Sequence, residues 1–217
     1  MIRKIKCYLV FTPSLCRLIL FAVVPIALIT LQIIMASRQT WDMAVSLNMI
    51  IAFVLLEVEV FLDHWTFGGL YARESMQLTY LRTSMRGMKV LKSALGVNLI
   101  RQLLTGLVPM LLGFWCRLRM GDGFAVEYAA GSLAWVLTGY IFTATASTIA
   151  RFFDGMMLNL AIANIALLIM MWVGLLAVPA ASPGMLVILV PLALLISIAG
   201  VGIAVNRVKE GYYDRTD

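Results

Sequence analysis

The stretch MLVILVPLALLISIAGVGIAV, residues 185–205, contains no charged side chain, and its one hydroxyl belongs to Ser197. A helix crosses the hydrocarbon layer of a membrane with about 20 mostly apolar residues. The stretch has that length and that character, so it predicts a membrane-spanning helix. Pro191 is the clear helix-breaking residue within it.

The whole chain has the composition that this stretch suggests. Its 217 residues are 62% hydrophobic and 13% charged, whereas soluble domains are roughly 45–50% apolar and about 25% charged. We therefore expect an all-α polytopic membrane protein, with one transmembrane domain over residues 1–217. The six predicted spans run from about Leu18 to Ala36, Ala44 to Leu62, Ala94 to Cys116, Ala129 to Ala150, Met157 to Val178 and Met185 to Val205.

The basic residues predict the orientation, because Lys and Arg are retained on the cytoplasmic side. With the N-terminus inside, the outer loops hold three, namely Arg38, Arg117 and Arg119. The inner segments hold thirteen: Arg3, Lys4, Lys6, Arg17, Arg73, Arg82, Arg86, Lys89, Lys92, Arg151, Arg207, Lys209 and Arg215. This bias predicts a multi-pass protein of the plasma (inner) membrane with both termini in the cytoplasm. Because the basic residues flank apolar spans, the net charge of +6 does not indicate nucleic-acid binding.

Residues 1–17 are basic and predict an N-terminal amphipathic helix before the first span. Basic residues before an apolar run also occur in signal peptides, but this run continues through Met35 without an early small-x-small cleavage site. We expect the segment to be retained. Cys7, Cys16 and Cys116 show no CxxC spacing, and we interpret them as small apolar residues.

The loop of residues 64–93, between spans two and three, is the longest polar segment inside the chain. Apolar residues recur in it at helical spacing, and basic residues fall on another face. The apolar set is Tyr71, Leu78, Leu81, Met85, Met88 and Leu91, and the basic set is Arg82, Arg86 and Lys89. We expect an amphipathic helix from about Tyr71 to Leu81, then a turn that Ser84 caps. Periodicity alone fits two roles equally, a helix resting on the inner leaflet and a helix docking a cytoplasmic partner.

The chain resembles the permease subunit of ABC transporters of the ABC-2 (type V exporter-like) class. The resemblance rests on the six spans, the basic segment MIRKIKCYLVFTPSLCRLIL, and the loop FGGLYARESMQLTYLRTSMRGMKVLKSAL, residues 67–95. It implies that this loop carries a coupling helix in a groove of the ATPase subunit. The residues that would make that contact are Tyr71, Leu78, Leu81, Arg82, Met85 and Arg86.

The resemblance also implies where the chemistry lies. The chain has no G-x-x-x-x-G-K-[ST] phosphate loop, so ATP and Mg would be bound by a separate ATPase chain, and this chain would carry no cofactor and no catalytic residue. A second permease, identical or different, would complete the unit. The expected cargo is amphipathic or hydrophobic, a peptide, lipid or drug. The alternatives are an ATP-independent membrane transporter and an accessory or immunity membrane protein.

The predicted spans contain polar residues, among them Glu57, Glu59, Arg101 and Gln102. Intramembrane charges are costly and usually paired. We expect Glu57 and Arg101, at similar depth on neighbouring spans, to form a structural ion pair; a proton or substrate relay and snorkelling to the surface are the alternatives. Glu59 and Asp63 share a face and are expected to reach the basic residues of the loop. His64, with scattered carboxylates, makes no metal site.

Overall fold

The computed structural model describes residues 2–37, 41–67, 81, 83–119, 126–151, 156–177 and 183–210. These residues are helical apart from short turns. The helices are α1 (Ile2–Phe11), α2 (Ser14–Leu18), α3 (Val24–Ser37), α4 (Trp41–Phe67), α5 (Gly87–Arg119), α6 (Val126–Ala150), α7 (Met156–Ala177) and α8 (Pro183–Glu210). The predicted all-α fold is confirmed for the described part of the chain.

The described residues of each predicted span lie in a helix. The first span combines the last residue of α2, a π-helical turn at Ile19–Val23 and α3. Pro25 lies two residues after this wide turn and has no N–H to donate, which accounts for the departure from α geometry. Helix α8 continues through Pro191, so the expected break is only an internal proline in a continuous helix. Two segments among the described residues are long and apolar enough to cross a membrane, Ser132–Ala150 and Gly184–Lys209.

Helix α6 lies at the centre of the bundle and packs against α4, α5, α7 and α8. Its small side chains permit this, as Ala144, Ala146 and Ser147 are buried between helices. The Thr138 hydroxyl donates to the carbonyl of Ala134 at 2.8 Å, and that of Thr148 to the carbonyl of Ala144 at 2.7 Å. These hydroxyls are therefore satisfied within the helix and need no polar partner in an apolar bundle.

One end of the bundle is formed where α4 ends and α5 begins, and we call it the basal end. Buried side chains of α1, α4, α5 and α8 share one apolar core there. That core includes Tyr8, Phe11, Phe67, Leu81, Leu91, Leu95, Val205 and Val208. The N-terminal segment is thus helical, as predicted, and α1 packs along α5.

Candidate functional site

The bundle encloses a chain of charged and amide side chains near its basal end, which we call the buried charge network: Glu59, Asp63, Asn98, Arg101 and Arg151. Arg101 Nη1 donates to Glu59 Oε1 at 2.6 Å, and Nη2 donates to Oε2 at 2.5 Å. Both side chains are almost fully buried. The pair is bidentate, the geometry that matches a planar guanidinium to a carboxylate.

The predicted ion pair between Arg101 and Glu57 is therefore wrong in its acidic partner. Successive residues of a helix point about 100° apart, so residues 57 and 59 lie on different faces of α4. Glu59 is on the face turned towards α5 and is buried, whereas Glu57 is half-buried. Depth along the helix is similar for both, and depth was the only criterion that the sequence provided.

A second ion pair lies one turn further along α4. Arg151 Nε and Nη2 each donate to Asp63, at 2.7 Å to Oδ2 and 2.7 Å to Oδ1. Asn98 joins the two pairs, since its Nδ2 donates to Asp63 Oδ1 at 2.8 Å and its Oδ1 accepts from Arg101 Nη2 at 2.9 Å. The network therefore links α4, α5 and the end of α6.

Glu59 and Asp63 do share a face of α4, as expected. Their ion-pair partners, however, are not basic residues of the loop. The two carboxylates bind Arg101 and Arg151. Sequence reasoning assigned Arg151 only to an inner loop, and it gave Asn98 no role. The one available signal was that both are polar residues at the same predicted depth as Asp63.

Aromatic rings cover the network at the basal end. The guanidinium carbon of Arg101 lies 6.0 Å from the centre of the Tyr8 ring, and that of Arg151 lies 5.1 Å from the centre of Phe67. Tyr8 and Phe11 pack against Phe67, with ring centres 6.4 Å and 6.0 Å apart. Burial raises the pKa of the Tyr8 phenol, and the positive charge of Arg101 opposes that rise in part. Helix α1 therefore closes the network off from water.

Gln102 extends the polar contacts along α5. Its Nε2 donates to Ser147 Oγ at 3.5 Å, which links α5 to α6. Its Oε1 is buried without a hydrogen-bond partner among the described residues, as are Arg101 Nε and Thr66 Oγ1. Among the described residues, no group of three His, Cys, Asp or Glu side chains lies close enough together to hold a metal ion.

The predicted ATPase-contacting residues fall partly outside the described residues, which include neither Tyr71, Leu78 nor Arg82. Leu81 is buried in the basal core, so its side chain packs within the chain. Met85 is fully exposed at 100% of its accessible surface, and Arg86 is exposed beside it. Of these three, Met85 and Arg86 have exposed side chains.

The turn that leads into α5 is tightly built. Ser84 Oγ accepts from the backbone N–H of Arg86 at 3.4 Å, and the Ser84 carbonyl accepts from the N–H of Gly87 at 2.9 Å. A Cβ at Gly87 would lie 2.1 Å from the carbonyl oxygen of Leu81. Glycine is required at position 87 because a Cβ would overlap the backbone of Leu81. This close approach places the end of the loop against the basal core.

No protein-family model matches the chain, and searches of curated proteins and of solved structures found no match.

Proposed function

We propose that this chain is the membrane-spanning permease subunit of an ABC exporter, with six spans and both termini in the cytoplasm. ATP hydrolysis would be supplied by a separate ATPase chain. Two permeases and two ATPases would form the working unit, because six spans alone leave little room for an alternating-access pathway. The cargo would be amphipathic or hydrophobic.

The arrangement of the loop after α4 is the observation that carries this proposal. Helix α4 ends at Phe67 and α5 begins at Gly87, and both Phe67 and Leu81 lie in the basal core. Met85 and Arg86 are exposed on the returning turn. The end of this loop packs against the basal core and exposes one apolar and one basic side chain. It is therefore suited to transmit force from a soluble partner to α4 and α5.

The buried charge network supports the same function. It joins α4, α5 and the end of α6 near the basal end. A force applied to the loop would therefore be transmitted to all three helices. Each carboxylate of the network is paired with an arginine, which favours rigid coupling over proton transfer. The exposed apolar side chains of α8, such as Val187, Ile188 and Ile198, agree with a surface in contact with lipid or with a second permease.

The test is co-purification of this chain with a candidate ATPase, a separate chain that carries a phosphate-binding loop. Met85→Asp removes an exposed apolar contact and adds a charge, and burying such a side chain is worth about 1.5–3 kcal/mol. We expect the variant to insert normally and to retain at least tenfold less ATPase on co-purification. Met157→Asp is the matched control, because Met157 is also highly exposed, at 83%, but lies at the start of α7. Equal retention by both variants and the wild type contradicts the proposal.

A second candidate function, an ATP-independent transporter, is favoured by Glu57. This carboxylate is half-buried in α4, and no hydrogen bond or ion pair joins it to another described residue. A relay residue needs such freedom to bind and release a proton or a cation. Transport that stops in Glu57→Gln but persists without any ATPase would favour this candidate over the permease.

A further inference from the structure

The first turns of α1 carry positive charge where a helix disfavours it. Arg3, Lys4 and Lys6 are all exposed, and the first acidic residue of the chain is Asp42. The N-terminus of a helix has a partial positive charge, so basic side chains there are unfavourable unless an anion lies nearby. No acidic residue of α1 itself compensates these charges.

The orientation of α1 is fixed, so these charges cannot turn towards the bundle. Tyr8 and Phe11 are buried in the basal core. At the other end of the helix, Arg17 donates from Nε to the Thr12 carbonyl at 2.9 Å and from Nη2 to the Leu9 carbonyl at 2.6 Å. These bonds cap free carbonyls of the helix and hold it against the bundle.

The same segment also exposes large apolar side chains beside its basic ones. Val10, Leu15 and Leu18 are exposed to 74%, 53% and 59%, and they lead directly into the apolar first span. A surface that is basic at one edge and apolar at the next matches the boundary between lipid headgroups and acyl chains. A soluble acidic protein would match the charges but would leave the apolar side chains in water.

Other exposed basic residues at the basal end enlarge this surface. They are Arg86, Lys89, Lys92 and Lys209. Glu59 and Asp63, the carboxylates of the buried charge network, are already paired with Arg101 and Arg151. These carboxylates therefore do not neutralise the surface.

We propose that Arg3, Lys4 and Lys6 form a docking surface for anionic lipid headgroups, which holds α1 as the cover of the buried charge network. This inference rests on the membrane insertion of the proposed function and not on the ATPase, so loss of ATPase binding would leave it standing. Each basic residue close to an anionic membrane surface contributes about 1 kcal/mol to binding. Removing two charges should therefore weaken anionic-lipid binding roughly 30-fold.

The experiment titrates the purified full chain in detergent with phosphatidylglycerol or phosphatidylcholine and counts retained lipids by native mass spectrometry. We expect the wild type to prefer phosphatidylglycerol, and Arg3→Gln/Lys6→Gln to lose that preference. The charge-retaining variant Arg3→Lys/Lys6→Arg should keep it. Arg117→Gln/Arg119→Gln, at the far end of α5, removes the same charge and should bind like the wild type.

Three results would overturn the proposal. The first is a wild type with no preference for phosphatidylglycerol. The second is equal loss in the α1 and α5 variants, which would make net charge the cause. The third is an Arg3→Gln/Lys6→Gln variant that keeps its lipid preference but loses the ATPase, since that would make the surface a protein-docking site.

Discussion

Arg101 binds the carboxylate of Glu59 through both terminal nitrogens, at 2.6 Å and 2.5 Å, while Glu57, two residues earlier on the same helix, stands outside the pair. Both partners of the pair are nearly inaccessible to solvent. In such a place an unpaired charge is far costlier than a paired one, because neither water nor a counter-ion can compensate it. The pair therefore holds α4 to α5 only while both members are present.

The first prediction is that Glu59→Ala destabilises the protein by about 3–5 kcal/mol, because it leaves the Arg101 guanidinium buried and unpaired. Glu57→Ala is the matched control and should change stability by less than about 1 kcal/mol. Replacing both members, as in Glu59→Leu/Arg101→Leu, should recover much of the loss. The measurement is the thermal unfolding midpoint of each purified variant in the same detergent. Additive effects of the Glu59 and Arg101 substitutions would show that the pair is not coupled.

The positions of the long helices could be predicted from the sequence, because uninterrupted apolar runs of about 20 residues leave few alternatives. The ion-pair partner of Arg101 could not be predicted in this way. Glu57 and Glu59 have the same charge and nearly the same depth, and only the rotation of α4 about its axis distinguishes them. That rotation is set by packing against α6 and α7, where Leu56 and Val60 meet Ala146 and Ala163.

The contacts at the basal end could likewise be predicted only in part from the sequence. The basic and apolar pattern of residues 1–17 predicted an amphipathic helix, and α1 confirms the helix. The pattern did not predict that Tyr8 would cover Arg101 or that Phe11 would pack on Phe67, whose ring covers Arg151, because those contacts join residues far apart in the chain. Leu81 is predicted to contact a partner because it lies on the apolar face of the loop and the resemblance places a coupling helix there. Periodicity does not say whether an apolar face meets a partner or the chain itself.

The second prediction concerns Asn98, whose amide joins the two ion pairs. Asn98→Ala removes a donor to Asp63 and an acceptor from Arg101, and it should cost about 1–3 kcal/mol for the buried groups left short of a partner. Asn206→Ala, at an exposed position of α8, should be neutral within about 0.5 kcal/mol. Thermal unfolding of the two variants side by side measures the difference. Equal midpoints would mean that Asn98 does not join the pairs in solution.

The third prediction compares two glycines of α5. Gly87→Ala would place a Cβ 2.1 Å from the Leu81 carbonyl oxygen, and backbone cannot move aside cheaply, so we expect lower yield and displacement of the turn. A Cβ at Gly96 meets nothing within 4 Å. Gly96→Ala should therefore stabilise α5 by up to about 1 kcal/mol, the helix-propensity difference. Yield and unfolding midpoint check both; a tolerated Gly87→Ala would contradict the close approach of the two segments.

The fourth prediction concerns the thiols of the N-terminal segment. Cys16 is buried, and burial raises the pKa of its thiol, so less reactive thiolate is present near neutral pH. Cys7 is only half-buried. In a Cys116→Ser background, we expect N-ethylmaleimide to label Cys7 well before Cys16 and to reach Cys16 only after denaturation. Peptide mass spectrometry over time measures the order; simultaneous labelling would show that α1 and α2 do not pack on the bundle as described.

The fifth prediction is the topology. Phe67, Leu91 and Val208 lie in the basal core together with Tyr8 of α1, so the N-terminus, the loop after α4 and the end of α8 must face the same side of the membrane. The excess of basic residues in these segments predicts that this side is the cytoplasm. Reporter fusions after Gly87 and Asp217 should therefore read inside, and fusions at Asp122 and Ser182 should read outside. If all four reporter signals were inverted, the bundle would stand but its orientation in the membrane would be reversed. An inside signal at Asp122 alone would contradict the passage of α5 and α6 across the membrane.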